Sequence, residues 1–315
     1  MLDVPRYRFC NLTVHSAMPL PELHSVSNTE MGCTFQVLAH RSQEPHSCQW
    51  FHQWFSPDGE VWLELGRFET GYLLRFPGLA DFLVLQDGKS IQCWPCPDTP
   101  AATIRHLLLD QVMPFLLSWL GRLVLHASAV STPEGAIAFV GKTGSGKSTL
   151  ASSFSEDGAA VLSDDCLLLQ EEHGGLTAIP SYPGVRLWPE VADAMFEEGK
   201  PRAEVAHYTE KRRLNGNAGI EFCTRPAALR RVFFLAPLGE TQQAAEARIE
   251  PLSSRDAVIE LVKYTYLIDV TDRQRLRQDF ERLSRVAIKP LFYRLVFPHD
   301  FSLLAKVRKT ILNGD

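Results

Sequence analysis

Over the first hundred residues the apolar positions come in short alternating runs. Thr34 to Leu38, Val61 to Leu65, Tyr72 to Phe76 and Phe82 to Leu85 are rich in β-branched and aromatic side chains. Turn signals separate them: Pro57-Asp58-Gly59, Pro77-Gly78 and Asp87-Gly88. A period of two with this punctuation predicts strands joined by tight turns, a small antiparallel β unit.

The pattern then changes. A helix is predicted from Pro100, capped by Asp98 or Thr99, running through Ile104, Leu107 and Leu108 towards Trp119 with a kink at Pro114. Its start is taken as the boundary between a β-rich unit, residues 1–99, and an α/β unit, residues 100–315. In the second unit Leu123 to Val130 and Gly135 to Val140 read as strands, followed by a Gly-rich turn and a helix through Phe154. Ala159 to Leu162 is a further apolar strand, and Cys166 to Gln170 resumes extended structure. Arg231 to Leu235 reads as a core strand. From Ser254 onward the periodicity is helical, with Thr271-Asp272 and Asp300 as caps.

Composition excludes several classes. The 315 residues are 45% hydrophobic and 22% charged, enough for a large core or two. The net charge of −5 lies wholly in residues 1–120, which hold 12 acidic and 7 basic side chains, against 25 of each in the remainder. Neither part is basic enough to predict nucleic-acid binding. Asp110, Pro114 and Arg122 interrupt the most apolar stretch, Leu107 to Leu125, so no membrane span or secretory leader is expected. Seven cysteines without a framework fit a reducing, cytoplasmic compartment.

The strongest chemical signal is GKTGSGKST, which is Gly141, Lys142, Thr143, Gly144, Ser145, Gly146, Lys147, Ser148 and Thr149. It satisfies G-x-x-x-x-G-K-[ST] between an apolar strand and a helix, the setting a phosphate-binding loop requires. Its glycines let backbone N–H groups converge on phosphates, Lys147 suits the β- and γ-phosphates, and the Ser148 hydroxyl suits Mg²⁺. The bland alternative is a chance Gly-rich turn.

The adjacent carboxylates Asp164 and Asp165 follow Lys147 by one helix and one strand. This places them beside the loop, where one can serve a metal ion and the other accept a proton from an attacking hydroxyl. An exposed turn with two acidic residues is the alternative. His126 lies on the strand before the loop strand, where an isolated histidine is ordinarily structural.

Taken in order, His126-Ala127-Ser128-Ala129-Val130, GKTGSGKST and LSDDCLLL resemble the HPr kinase/phosphorylase family and its HPr-kinase-like relatives over roughly residues 121–240. The resemblance implies a compact α/β P-loop kinase core related to phosphoenolpyruvate carboxykinase, and transfer of the γ-phosphoryl group of ATP to a serine hydroxyl. It implies Asp164 as the general base, with Asp165 supporting it and orienting a basic partner or Mg²⁺. His126 would line the acceptor side. The family's Glu-Val-Arg-Gly-type motif is missing; Ser181 to Pro189 reads SYPGVRLWP, leaving Glu190 or water as the further metal ligand and making phosphorolysis doubtful. The chain is therefore more similar to the relatives that accompany ribosomal peptides, such as lasso precursors. This implies a bacterial cytoplasmic enzyme whose partner is a peptide or small protein bearing an acceptor serine, without nucleic acid or membrane. Self-association is left open. The alternatives are a carrier-protein kinase, a small-molecule phosphotransferase and a nucleotide-binding regulator without catalysis.

Three weaker features remain. Arg186, or Lys211 and Arg213 of the triplet Lys211-Arg212-Arg213, can supply positive charge to a transferring phosphoryl group, or the triplet can be a solvated loop. Cys93-Trp94-Pro95-Cys96 reads as a redox dithiol, half of a zinc site with Cys33, Cys48, His40, His46 or His52, or two unconnected thiols. The arginines from Arg273 to Arg285 are interleaved with Asp272, Asp279 and Glu281, as on a solvated helix face.

Overall fold

A computed structural model describes residues 4–27, 32–39, 48–56, 58–172, 174–196, 199, 201–241, 244–266 and 271–314. Pro57, His40 and His46 lie outside the described residues. The chain divides into two compact units, Met1–Gly121 with Ala206–Thr209, and Arg122–Val205 with Glu210–Asp315.

In the first unit the alternating runs form a nine-stranded sheet. Gln49–Phe55, Val61–Phe68, Gly71–Phe76, Ala80–Leu85 and Ser90–Pro95 make an antiparallel meander. The sheet is not purely antiparallel as expected. Cys33–Val37 runs parallel to both of its neighbours, Leu12–Ser16 and Ser90–Pro95. Tight-turn signals report hairpins only, whereas parallel pairing joins strands distant in sequence.

The helical segment expected to open the second unit belongs to the first. Tyr72 on the sheet meets Phe115 and Trp119 edge-on, with ring centroids 5.6 and 4.8 Å apart. The segment is Ala101–Leu107, a π turn over Leu108–Val112, then Met113–Trp119. Pro114 has no N–H to donate, and the π turn accommodates it, with the Met113 N–H reaching Leu108 O. Thr99 does not cap this helix; its hydroxyl donates to Leu79 O.

The second unit is mixed α/β. The strand Gly135–Val140 pairs antiparallel with Ala127–Thr132 and parallel with Ala227–Leu235, which in turn runs parallel to Phe292–Val296. Alternation divides the loop strand. Ala136, Ala138 and Val140 face a core shared with Leu261 and Leu283, while Ile137 and Phe139 face Leu150 and Phe154 of the segment after the loop. The small alanines suit one close-packed layer and the larger side chains the other, so the sheet is covered on both faces. The helices after residue 253 are Ser254–Tyr264, Arg273–Ala287 and Leu304–Asn313, with the strand Phe292–Val296 between the last two. Asp272 and Asp300 do cap, accepting from Arg275 N and Ser302 N.

Two details differ from expectation near the loop. Leu123 to Val130 is not one strand: Leu123–Leu125 pairs with Leu167–Glu172, while Ala127–Thr132 pairs with the loop strand. His126 stands at the break, its N–H bonded to Tyr264 O. The strand before the Asp pair, Ala160–Ser163, is not adjacent to the loop strand; Ala127–Thr132 lies between them. Among the described residues no helix is long and apolar enough to cross a membrane.

Candidate active site

Gly141 to Gly146 turns the end of the loop strand into the helix Lys147–Ser153. Gly144 and Gly146 have φ of +81° and +91°, a region that favours glycine. Lys147 is buried and folds back over the turn, its Nζ donating to Gly141 O at 2.8 Å and Lys142 O at 3.0 Å. Burial lowers its pKa against the opposing pull of Asp165 and Asp164. An incoming anion would therefore be welcome to this cation.

Asp164 is the anchor of the site. Its Oδ1 accepts the Ser128 hydroxyl at 2.6 Å and the Ser148 hydroxyl at 2.7 Å. Its Oδ2 accepts Arg186 N at 3.0 Å and Arg186 Nε at 3.4 Å. Ser128 belongs to the intervening strand, so its short side chain bridges the gap between the Asp pair and the loop helix. Asp164 is 2% exposed and does not line the cleft described below. The expected base, Asp164, is thus held by four donors on the far side of Ser148 from the cleft lining, and Asp165 is the member of the pair that lines it.

Asp165 points the other way. Its φ of +65° lies in the left-handed region, which Asp tolerates better than most residues. Arg186 Nη2 stands 3.3 Å from Asp165 Oδ2, and His126 Nε2 stands 3.8 Å from Asp165 Oδ1. Burial opposes ionisation here, but Arg186, His126, Lys147 and Lys211 outweigh it and hold the carboxyl well below its ordinary range. The same crowding acts on His126, where burial and the cations Lys147 and Arg186 outweigh Asp165 and lower the imidazole pKa.

These groups open into a cleft of about 230 Å³. Thr143, Gly144, Gly146, Lys147, Ser148 and Thr149 form its floor, with His126, Asp165, Arg186 and Lys211 at one side. Leu187, Trp188 and Val191 continue that side, and the Lys211 ammonium lies 5.5 Å from the Trp188 ring centroid. Phe297, Pro298, His299 and Phe301 form a further wall, with Phe297 and His299 next to Gly146 of the floor.

The structure thus brings together most of the candidate residues, but not all. Gly141, Lys142 and Ser145 shape the turn without lining the cleft. Arg213 is buried, its guanidinium 5.8 Å from the Tyr182 ring centroid, and is not among the residues that line the cleft. Glu190 sits in the first turn of Pro189–Met195 and also lies outside the lining. Cys93 is buried in its strand, with burial first and Asp81 and Cys96 next raising its thiol pKa; burial likewise pushes Cys33 up to about 12. Thiols held protonated are poor nucleophiles.

Ser128, Trp188 and the Phe297–Phe301 wall were not singled out in the sequence. Ser128 stood inside the quoted His126 motif, and its small polar side chain on a buried strand was a usable signal. That wall lies about 150 residues beyond the loop and carries no motif.

Ser148 and Asp165, which line the cleft beside the loop helix, offer oxygen ligands, which suits a hard cation such as Mg²⁺. Among the described residues no cluster of three His, Cys, Asp or Glu side chains could hold a metal unaided. Mg²⁺ characteristically takes few protein ligands and completes its shell with water and substrate phosphates, so these residues fit it.

No family model matches the chain, and no curated protein does. Among solved structures it is similar to the Hpr(Ser) kinase/phosphatase from Coxiella burnetii, at 15% identity over 52% of this chain and 96% of that one, with a TM-score of 0.24. So loose a superposition carries no weight for fold or activity.

Proposed function

We propose that the protein is an ATP-dependent serine kinase built on an HPr-kinase-like P-loop core, acting on a peptide or small protein. The observation that carries this reading is the division of labour in the Asp pair. Asp164 is tied to Ser148 of the phosphate loop, while Asp165 opens into the cleft beside His126, Arg186 and Lys211. With Asp164 tied to Ser148, Asp165 is left to meet an acceptor hydroxyl, a role that nucleotide binding alone does not require.

Lys147 would leave its carbonyl partners for the β- and γ-phosphates. Ser148, with Asp164 behind it, would hold Mg²⁺, whose chemistry is to neutralise charge on the phosphate oxygens. Arg186 and Lys211 would bear on the transferring group. The acceptor serine oxygen forms its bond to the γ-phosphorus as the bond to the bridging β–γ oxygen breaks; the serine proton passes to Asp165, and ADP leaves. Asp165 is a weak base with its pKa held down. A loose phosphoryl-transfer transition state asks mainly for positioning, so a weak base suffices. The side chains of His126 and Asp165 are 31% and 22% exposed, which supports an acceptor delivered on a polypeptide. The sequence resemblance to HPr-kinase-like proteins supports a ribosomal precursor peptide as that acceptor.

The test is incubation of the full chain and Mg²⁺ with γ-labelled ATP and, separately, serine-containing peptides, HPr-type carrier protein and metabolite pools. Label on a peptide serine is the expected result. ATP binding without transfer to any acceptor would leave a regulatory module instead.

A further inference from the structure

The cleft is electrically lopsided. Arg186 and Lys211 stand on the side of Asp165, and Trp188 on that side is already faced by the Lys211 ammonium. The wall from Phe297 to Phe301 is aromatic and apolar apart from His299 and one exposed carboxylate, Asp300. Asp300 Oδ1 accepts Ser302 N at 2.9 Å and Ser302 Oγ at 2.7 Å, which caps the turn Phe301–Leu303. The rings of Phe297 and His299 stack with centroids 4.9 Å apart and planes 28° apart. Phe297 is buried and anchors the pair, while His299 and Phe301 are exposed. This wall begins at the phosphate loop itself: a Cβ on Gly146 would lie 3.3 Å from Phe297 Cζ and 3.7 Å from His299 Cε1.

A triphosphate needs the cations, and its base needs flat apolar surface with a polar edge. Lys147, Arg186 and Lys211 meet the first need, and Phe297, His299 and Phe301 the second. We propose that Phe297, His299 and Phe301 form the nucleobase subsite and that it selects purine nucleotides. The inference rests on reading the loop as a triphosphate site. The Phe297–His299 pair is rigid, because Phe297 belongs to the core containing Phe139, Leu150 and Phe233. Stacking on a held ring costs little ordering of the protein, and the larger face of a purine gains more from it than a pyrimidine does. The His299 ring nitrogens supply polar atoms at the edge of the wall.

The experiment is calorimetric binding of inorganic tripolyphosphate, ATP and CTP, each with Mg²⁺, to the full chain and to Phe301→Ala, His299→Ala, Phe301→Tyr and Trp188→Ala. Folding of each variant is checked by its melting curve. The wild type should bind ATP more tightly than CTP. Phe301→Ala and His299→Ala should weaken ATP by roughly tenfold and leave tripolyphosphate unchanged. Phe301→Tyr should keep the wild-type affinity. Equal losses for ATP and tripolyphosphate in the first two variants would overturn the base subsite, as would a selective loss of ATP in Trp188→Ala alone. A wild-type chain that binds neither ligand would instead overturn the loop reading beneath it.

Discussion

Ser148 and Asp164 are joined by a hydrogen bond of 2.7 Å from the serine hydroxyl to Oδ1, beside the strand Ala127–Thr132. Ser128 on that strand donates to the same oxygen at 2.6 Å. The carboxylate is thus aimed at the phosphate loop by a residue with no contact to the cleft. Ser128→Ala should lower stability by about 1 kcal/mol. It should also raise the Mg²⁺ concentration needed for nucleotide binding, read by titration, while Ser128→Thr restores it. A loss of stability with unchanged Mg²⁺ dependence would confine Ser128 to packing.

Asp165 and Asp164 should separate cleanly in mutants. Asp165→Asn keeps a residue tolerant of the left-handed backbone and leaves Asp164 with its partners. Its kcat should fall on the order of 10²–10⁴-fold with nucleotide affinity little changed. Asp164→Asn places an amide against donors, breaks a buried ion pair and should cost about 3–5 kcal/mol, seen as a lower denaturant midpoint. Near-normal turnover in Asp165→Asn would remove it as the proton acceptor.

Lys147→Met should leave the fold intact and abolish binding of the triphosphate. The Nζ contacts that it loses are to the loop carbonyls Gly141 O and Lys142 O, so local order of the turn should also fall. Hydrogen exchange over residues 141–149 is the readout; unaltered exchange would show that the turn holds its shape without the lysine.

The perturbed acid Asp165 and the perturbed base His126 both lower stability on the acid side of the pH profile, in different windows. The folded-state pKa of Asp165 is depressed, so its contribution is present above the ordinary 3.8 and is lost as pH falls through the lower folded value. His126 is also depressed, which favours the neutral ring in the folded chain. As pH falls below 6.5 the unfolded chain takes up that proton first, so stability declines. His126→Gln should flatten the slope of urea midpoints between about pH 6.5 and 5. Asp165→Asn should flatten it only below 3.8.

Gly184 has φ of +145°, and a Cβ there would lie 3.0 Å from Arg213 Cδ and 3.1 Å from its Cγ. Arg213 and Arg186 flank the Tyr182 ring at 5.8 and 5.9 Å. Gly184→Ala should therefore strain the backbone and displace Arg213, costing about 1–3 kcal/mol. Thermal melting checks this; an unchanged midpoint would show that Arg213 has room to shift.

Much of the loop region was legible because its information is local. An apolar strand, glycines where φ must be positive, and a lysine and serine at fixed spacing all lie within fifteen residues of one another. The Asp pair was legible as a pair, but not which member faces the cleft. That depends on Ser128, Ser148 and Arg186 converging on Asp164 from separate elements. Arg186 and Arg213 looked equivalent as cations, yet they stand opposite each other on paired strands and only Arg186 reaches the cleft.

The sequence by itself determined the Gly-rich turn between strand and helix, the acidic pair and the alternating strands, since short-range sterics and a period of two need no partner from elsewhere in the chain. Tertiary structure decided three other things: that the helical segment 101–119 packs on Tyr72 in the first unit, that Ala127–Thr132 lies between the loop strand and the strand before the Asp pair, and that Phe297 to Phe301 joins the lining of the cleft. Each depends on strand order and on burial against distant residues, and neither is encoded in any local stretch of side chains.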